Sequence, residues 1–261
     1  MSNGLEEPFF KTFLDSIASS EQSLLLMDFD GTIAPYRVDP MKSRPWTGML
    51  RLIRNIEKSG RTRIIVITGR PACEAEQRLG LHPHPEIWGL HGAERLYRNG
   101  RIELPRLSSA DLSALGAAMR DLQSADLRLR IEAKANAMAV HWRGRPPGAI
   151  QVARARVVDI LSRYTTEGHL SLMEFDGGIE LRTGRRKGDA IRQLLTEIGT
   201  NAPVAYLGDD TTDEDGFRAI RGRGVGILAR HRWHSSEAWF WLPPPKQLRA
   251  FLREWLHAVR S

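Results

Sequence analysis

The chain has 261 residues, of which 41% are hydrophobic and 26% are charged, so a packed globular core is expected. The formal net charge is +7, which an anionic small substrate fits as well as nucleic acid does. Because the arginines are spread along the chain, we expect no nucleic-acid partner. No stretch reaches the roughly 18 apolar residues of a membrane span, and residues 1–13 lack the basic-then-apolar pattern of a signal peptide. A single cysteine, Cys73, excludes an internal disulfide and a cysteine-rich metal site. We therefore expect a cytoplasmic protein without membrane contact.

Apolar runs alternate with helical patterns in the N-terminal third of the chain. In chain order, the sequence predicts a strand at 23–29, a helix at 47–60, a strand at 63–69, a helix at 71–80 and a short strand at 87–90. Pro71 suits the first turn of a helix, and Gly80 suits its end. Short apolar strands that alternate with helices are typical of a parallel sheet covered on both faces.

The pattern changes between residues 106 and 183. The sequence predicts a helix at 109–123, a hairpin around Ala135-Asn136, an amphipathic helix at 148–164, and two strands within 169–182 that join at Gly177-Gly178. This order indicates an α+β module inserted into the sheet domain. After it come predicted strands at 203–209 and 224–229, and a C-terminal helix at 246–259 with an apolar stripe that indicates core packing.

Two carboxylates directly follow the apolar run of the first predicted strand, in the segment MDFDGT at 27–32. Asp28 and Asp30 would repel each other if both were ionised and buried. A cation, a proton, or a turn that points one carboxylate into solvent must therefore compensate. Side chains alternate along a strand, so both carboxylates could face the same way, and Gly31 allows a sharp turn after them.

Four polar features fall at the carboxyl ends of predicted core strands, where parallel α/β sheets bind ligands. They are Asp28-Phe29-Asp30-Gly31-Thr32, Thr68-Gly69-Arg70, Lys187-Gly188 and Gly208-Asp209-Asp210. Clustered carboxylates favour a divalent cation with oxygen ligands, and magnesium suits one or two carboxylates plus a phosphate. Thr68 supplies a hydroxyl and Lys187 a positive charge for phosphate oxygens. This set indicates phosphoryl transfer, with Asp28 as nucleophile and Asp30 as general acid and then base.

The segments DFDGT, TGR, KG and GDD, in this order, resemble the four motifs of the haloacid dehalogenase-like (HAD) phosphatase superfamily. Within it, the chain resembles the trehalose-phosphate phosphatases over about residues 22–256. The second resemblance rests on MDFDGTIAP, LHGAE at 90–94, EAKANAMAVHWR at 132–143, GIELR at 178–182 and LGDDTTDEDGF at 207–217. The family usually has a proline after its ELR segment and a neutral loop before KG, whereas Thr183 and Arg185-Arg186 stand here.

The resemblance implies a fold, an insertion and an activity. The fold is of the α/β class: a Rossmann-like HAD core with a parallel sheet, at 1–105 and 184–261, and an α+β cap at 106–183 between the second and third motifs. The spacing agrees, because Lys187 lies 119 positions after Thr68, whereas Thr68 lies 40 positions after Asp28. The activity is the magnesium-dependent hydrolysis of trehalose 6-phosphate to trehalose and phosphate.

Site residues carry over from the resemblance position by position. Magnesium would be held by Asp28, the carbonyl of Asp30 and Asp209, with Asp210 as a further candidate and Asp213 outside the ligand set. The substrate would contact Thr68, Gly69, Arg70 and His91 in the core, and Glu132, Lys134, Arg143 and Glu180 in the cap.

Simpler structural roles are open for several of these residues. Thr68 could cap a helix, one or more of Asp209, Asp210 and Asp213 could do the same, and His91 could make a structural hydrogen bond. Glu132 and Lys134 share one strand face and could pair on a solvated surface. The function also has alternatives: a phosphatase of glucosylglycerol phosphate, sucrose phosphate or another glycosyl phosphate, a hexose-phosphate mutase, or a noncatalytic domain with the same fold. A monomer is favoured, although the sequence leaves the oligomeric state open.

Overall fold

The computed structural model describes residues 8–37, 39–104, 107–165 and 170–261, without the side chain of Pro40. Within these residues the strands are β1 (Ser23–Met27), β2 (Thr62–Ile67), β3 (Glu86–Gly89), β4 (Glu94–Leu96), β5 (Ile102–Glu103), β6 (Arg130–Ala133), β7 (Ala137–His141), β8 (Leu170–Phe175), β9 (Gly178–Thr183), β10 (Val204–Gly208), β11 (Val225–Leu228) and β12 (Phe240–Trp241). The α-helices are α1 (Pro8–Ser19), α2 (Met49–Lys58), α3 (Ala72–Leu79), α4 (Ser109–Ser124), α5 (Pro147–Ser162), α6 (Lys187–Ile198), α7 (Glu214–Ile220) and α8 (Lys246–Ala258).

The chain divides into two compact units, one formed by residues 1–103 and 186–261 and the other by residues 104–185. The first break predicted from the sequence, at 105 and 106, falls on residues outside the described ranges. The second was predicted after residue 183, and the division by contacts places it after Arg185.

The first unit is built on one eight-stranded sheet in the order β12-β11-β10-β1-β2-β3-β4-β5. Neighbouring strands pair in parallel except for the pairs β3–β4 and β4–β5, which are antiparallel. This mixed α/β unit with its mostly parallel sheet confirms the predicted fold class. Each of the five strands predicted for this unit is present, with both ends within two residues of the prediction.

Both faces of this sheet are covered, as the continuous apolar run of β1 predicts. Alternate β1 side chains enter opposite cores because successive strand residues point to opposite faces. Leu25 and Met27 belong to the core that α1, α2 and α8 cover. Leu24 and Leu26 belong to the core that α6 and α7 cover. Burial on both faces leaves the carboxyl ends of the strands as the edge where polar groups can gather.

The second unit is an antiparallel sheet in the order β6-β7-β9-β8 with two helices. Apolar residues from α4, α5 and one face of the sheet form its core; they include Leu122, Val157, Val140, Ile179 and Leu181. The predicted hairpin is confirmed, because the Lys134 amide donates to the Ala137 carbonyl at 2.8 Å. The predicted start of the next strand, residue 169, lies outside the described residues.

Some elements are absent from the sequence predictions, among them α1, α6, the β4–β5 extension of the sheet, and β12. The apolar spacing of α1 shows in Phe10, Phe13 and Ile17, which are buried on one helix face. By contrast, β12 has only two residues and exists because Phe240 and Trp241 pair with Ile227 and Leu228. No helix among the described residues has both the length and the apolar character needed to span a bilayer.

Candidate active site

The first acidic segment lies where β1 ends, beside the end of β10. In the parallel pairing Met27 is the partner of Leu207, so Asp28 and Asp209 follow at the same edge of the sheet. Gly31 turns the chain after Asp30 with φ 87°, in the left-handed region. A Cβ atom at Gly31 would lie 2.1 Å from a carboxylate oxygen of Asp209. Glycine is therefore required here both for the turn and for the close approach of Asp209.

Lys187, the first residue of α6, joins two of the carboxylates. Its Nζ atom donates to Oδ1 of Asp28 at 2.7 Å and to Oδ1 of Asp213 at 2.7 Å. The lysine is buried with 3% exposure, and Asp28 and Asp213 are buried with it. Burial alone would lower the pKa of Lys187, but the two carboxylates outweigh it and raise the pKa above its usual value. Lys187 is therefore a fixed positive charge inside the site.

Asp213 accepts more hydrogen bonds than the other buried carboxylates at this edge of the sheet, Asp28 and Asp209. Oδ2 accepts from the backbone amides of Asp209 and Asp210, both at 3.0 Å. Oδ1 accepts from Lys187 and from the hydroxyl of Tyr206. The prediction placed Asp213 outside the metal ligands, and these four donors hold both of its oxygens in place.

Asp28, Asp209 and Asp213 form a buried group whose carboxylate oxygens lie within 4.8 Å of one another, a group that could hold a metal ion. Burial raises the pKa of Asp28 from 3.8 to about 7, although Lys187 opposes the rise. Burial and the Asp28 and Asp213 carboxylates raise the pKa of Asp209 well above 3.8. Three carboxylates against one lysine leave an excess of negative charge, which a divalent cation would balance. The donor set and its charge therefore fit such an ion.

Asp210 does not belong to this group, although the sequence made it a candidate metal ligand. Its carboxylate accepts from the Thr211 amide at 2.7 Å and caps the short 3₁₀ helix Thr211–Asp213. This is the helix-cap role that the sequence analysis allowed for one of the acidic residues in this segment.

Asp30 points to a different partner from Asp28. Both of its oxygens accept from Arg70: Oδ2 from Nε at 2.6 Å and Oδ1 from Nη2 at 2.7 Å. The Arg70 side chain is nearly buried and is also held by Glu74 on α3. Such a two-point guanidinium–carboxylate pair fixes the orientation of the carboxylate. Arg70, predicted as a substrate contact, therefore holds Asp30 here.

Thr68, Gly69 and His91 pack together beyond the end of β2. The Thr68 hydroxyl accepts from the Arg70 amide at 3.2 Å and shapes the turn that presents Arg70. His91 is buried, with φ 58°. A Cβ atom at Gly69 would lie 2.7 Å from Nε2 of His91, so the imidazole occupies the space that a side chain would need. The structure thus brings His91, which follows β3, against Thr68 and Gly69, which follow β2.

The predicted sugar contacts lie on the second unit. Lys134 donates to Glu180 at 2.5 Å, and Glu180 is buried with 2% exposure. In the strand register Lys134 and Glu180 flank β7 on either side, at Ala137 and Ala139. The lysine side chain therefore crosses β7 where that strand carries only methyl groups.

Glu132 lies on the same sheet face and bonds to His141 at 2.8 Å. The bond to His141 lowers the pKa of Glu132 to about 2 despite its partial burial. Arg143 instead lies at the β8–β9 turn, where it donates to the Asp176 carbonyl. The structure therefore places Glu132, Lys134 and Glu180 on one sheet face and Arg143 at that turn.

Tyr206 and Arg230 contact the acidic group formed by Asp28, Asp209 and Asp213, and no sequence pattern singled them out. Tyr206 lies within the apolar strand β10, where a tyrosine is an ordinary core residue. Arg230 lies just past β11, and its Nη1 donates to the Asp209 carbonyl at 3.1 Å. Neither belongs to a recognisable motif, so only the pairing of the strands brings them to the acidic group.

A model of the trehalose-phosphatase family matches residues 26–242, most of the chain. The chain belongs to the trehalose-phosphatase family. The resemblance predicted from the sequence is thereby confirmed. The trehalose-phosphate phosphatase of Mycobacterium marinum (strain ATCC BAA-535 / M) is 28% identical to this chain over 250 residues. The match covers 87% of this chain and 60% of the relative. The chain therefore spans about 60% of the length of that relative.

Solved structures share the fold of this trehalose-phosphatase family member. The C-terminal domain of a Candida albicans trehalose-6-phosphate phosphatase has a TM-score of 0.80 and 18% identity, over 96% of both chains. A haloacid dehalogenase-like hydrolase from Bacillus subtilis has a TM-score of 0.61 and 14% identity, over 89% of this chain and 99% of its own. At these identities the likeness shows the fold, which is that of the HAD hydrolases.

Proposed function

We propose that this protein is a magnesium-dependent phosphatase that hydrolyses trehalose 6-phosphate to trehalose and phosphate. The observation that carries the proposal is the buried pairing of Asp28 with Lys187 inside an acidic group that fits a divalent cation. Membership of the trehalose-phosphatase family supports the choice of substrate. The name of the Mycobacterium marinum relative supports it as well.

In the proposed reaction, a carboxylate oxygen of Asp28 attacks phosphorus and the bond from phosphorus to the sugar oxygen breaks. Asp30 gives a proton to the departing sugar oxygen, which leaves an aspartyl phosphate on Asp28. Asp30 then takes a proton from water, whose oxygen attacks phosphorus; the bond between phosphorus and the Asp28 oxygen breaks, which releases phosphate and restores the Asp28 carboxylate. In both steps Lys187 offsets the charge of the phosphoryl oxygens.

Magnesium is the proposed ion, held by Asp28, Asp209 and the carbonyl of Asp30. When bound, it would neutralise charge on the phosphoryl group and on the crowded carboxylates. Asp213 would orient this set through its bonds to Lys187 and to the Asp209 amide.

Arg70 orients the group that is proposed to transfer the proton. Both Asp30 oxygens accept from Arg70, so Arg70 fixes the plane of the Asp30 carboxyl. We propose that Thr68, Gly69 and His91 contact the phosphate side of the substrate, and that Arg70 acts through Asp30.

The second unit, at about 106–183, is proposed to be the cap that binds the sugar. Glu132, Lys134 and Glu180 offer hydroxyl-binding groups on one sheet face, and Arg143 is the fourth proposed contact. The sequence also supports a cytoplasmic monomer that contacts neither nucleic acid nor membrane, and these statements stay proposals.

A phosphate-release assay over a panel of phosphates tests the function. The panel contains trehalose 6-phosphate, sucrose phosphate, glucosylglycerol phosphate and a hexose phosphate, each with magnesium and with EDTA. We expect trehalose 6-phosphate to be the preferred substrate and EDTA to stop turnover. Turnover of another glycosyl phosphate alone would overturn only the proposed identity of the sugar. Isomerisation of the hexose phosphate would indicate a mutase, and inertness towards the whole panel a noncatalytic domain.

A further inference from the structure

The hydroxyl of Tyr206 is a polar group inside an otherwise apolar strand. Tyr206 is the third residue of β10 and is fully buried, at 0% exposure. Its ring packs against Phe217 of α7, with ring centroids 5.4 Å apart. A phenylalanine would fill this core equally well, so packing alone does not explain the hydroxyl.

The structure makes room for this ring at a cost in helix propensity. A Cβ atom on Gly216, inside α7, would lie 2.4 Å from Cε1 of Tyr206. Glycine within a helix is less favourable than alanine. The chain thus keeps an unfavourable helix residue at the place where the tyrosine ring passes.

The hydroxyl donates to Oδ1 of Asp213, the same oxygen that accepts from Lys187. The other oxygen of Asp213 is held by the amides of Asp209 and Asp210. The Asp213 carboxylate also lies against Gly208, where a Cβ atom would be 2.4 Å from its Cγ. Asp213 is thus fixed from three directions, and Tyr206 supplies one of them.

We propose that Tyr206 is a positioning residue for the proposed phosphatase reaction, acting through Asp213 on Lys187 and Asp28. Lys187 donates to Asp28 and to Asp213 from the same nitrogen, each at 2.7 Å, so a shift of Asp213 would move the nitrogen that faces Asp28. The Tyr206 hydroxyl fixes the rotation of Asp213 and so fixes the lysine that faces the nucleophile. This inference rests on the proposed function of the site, but it makes a structural claim of its own.

The test is Tyr206→Phe, which removes one hydroxyl from a ring of the same shape. We expect kcat for trehalose 6-phosphate to fall by about tenfold or more, the fold-change that corresponds to a lost hydrogen bond to a charged group. KM should change less than about twofold, because Tyr206 does not face the substrate. The matched control is Tyr164→Phe, which deletes another tyrosine–aspartate bond, from Tyr164 to Asp121 at 2.7 Å on the second unit. The control should leave kcat and KM unchanged.

A double-mutant cycle separates positioning from packing. If the hydroxyl acts through Asp213, then adding Tyr206→Phe to Asp213→Ala, which leaves the hydroxyl without its acceptor, should change kcat by less than about twofold. A loss that is the same in both backgrounds would overturn the proposal. An unchanged kcat for Tyr206→Phe with a lowered melting temperature would also overturn it, because the hydroxyl would then act on stability alone.

A crystal structure of Tyr206→Phe gives a readout that does not depend on turnover. We expect the Asp213 carboxylate to rotate and the distance from Lys187 Nζ to Asp28 to lengthen beyond hydrogen-bonding range. An unchanged Asp28–Lys187–Asp213 arrangement would overturn the inference. If the wild-type protein hydrolyses no phosphate, the proposed function fails, but the crystal structure still decides the role of the hydroxyl.

Discussion

Replacing Asp28 with asparagine should abolish turnover and, at the same time, stabilise the metal-free protein at alkaline pH. Asp28 is 4% exposed, and burial raises the pKa of its carboxyl from 3.8 to about 7, with Lys187 opposing the rise. A folded-state pKa above the unfolded value means that the folded chain binds this proton more tightly. The resulting stability is therefore complete below about pH 4 and is lost as the pH rises to about 7.

The size of the effect follows from the pKa values. The change from 3.8 to about 7, at about 1.4 kcal/mol for each tenfold change in proton affinity, corresponds to about 4 kcal/mol. Asparagine carries no charge to bury, and its amide oxygen can still accept from Lys187 at the site of the 2.7 Å bond. The rise to about 7 is what remains after Lys187 has lowered the pKa of Asp28, so the charge-assisted part of that bond is already counted. We therefore expect Asp28→Asn to be more stable than wild type by about 4 kcal/mol at pH 8.

Urea unfolding in EDTA at pH 5 and pH 8 measures the difference in free energy of unfolding between Asp28→Asn and wild type. At pH 5 the Asp28 carboxyl is protonated in the folded chain but mostly ionised in the unfolded chain, so the advantage of the variant should shrink to about 1–2 kcal/mol. Asp159→Asn, a change at an exposed aspartate, is the control and should stay within about 0.5 kcal/mol of wild type at both pH values. The electrostatic reasoning would be refuted if Asp28→Asn were less stable than wild type at pH 8, and the assignment of the nucleophile if it kept full turnover.

Three further changes test other parts of the structure. Arg70→Gln removes both donors from Asp30 and should lower kcat about tenfold in the phosphate-release assay, with Arg70→Lys intermediate. Glu180→Gln should raise KM for trehalose 6-phosphate several-fold and leave hydrolysis of an aryl phosphate without a sugar unchanged; equal loss on both substrates would refute a sugar contact. Glu197→Gln weakens the two bonds from Arg95, at 2.7 and 2.8 Å, and should lower stability by about 1–2 kcal/mol in urea without changing kcat. A large loss of kcat in that variant would contradict its purely structural role.

The sheet of the first unit could be predicted because its strands carry the signal locally. Leu24, Leu25 and Leu26 form a run too apolar for a surface strand, and the run is indeed buried on both faces. The acidic and glycine-rich segments follow such runs directly, so their place at one edge of the sheet follows from parallel pairing. The family followed from the same segments, since they occur in a fixed order.

The partners of the acidic residues could not be predicted, because they depend on distances between segments far apart in the chain. Lys187 meets Asp28 across 159 positions, and Arg70 meets Asp30 across 40. The sequence placed all four at one sheet edge but could not say which cation meets which carboxylate. Only the packing of α6 and the turn after β2 decided that Lys187 faces Asp28 and that Arg70 takes Asp30.

Sequence by itself determined the family, the parallel sheet and the residues available for chemistry, because strand periodicity and motif order are properties of adjacent positions. Tertiary structure alone decided that Asp213 joins the buried acidic group, that Asp210 caps a short helix instead, and that the Tyr206 hydroxyl reaches Asp213. The physical reason is that charge compensation acts over a few ångströms between side chains. Whether two side chains come that close is set by the packing of whole elements and not by their spacing along the chain.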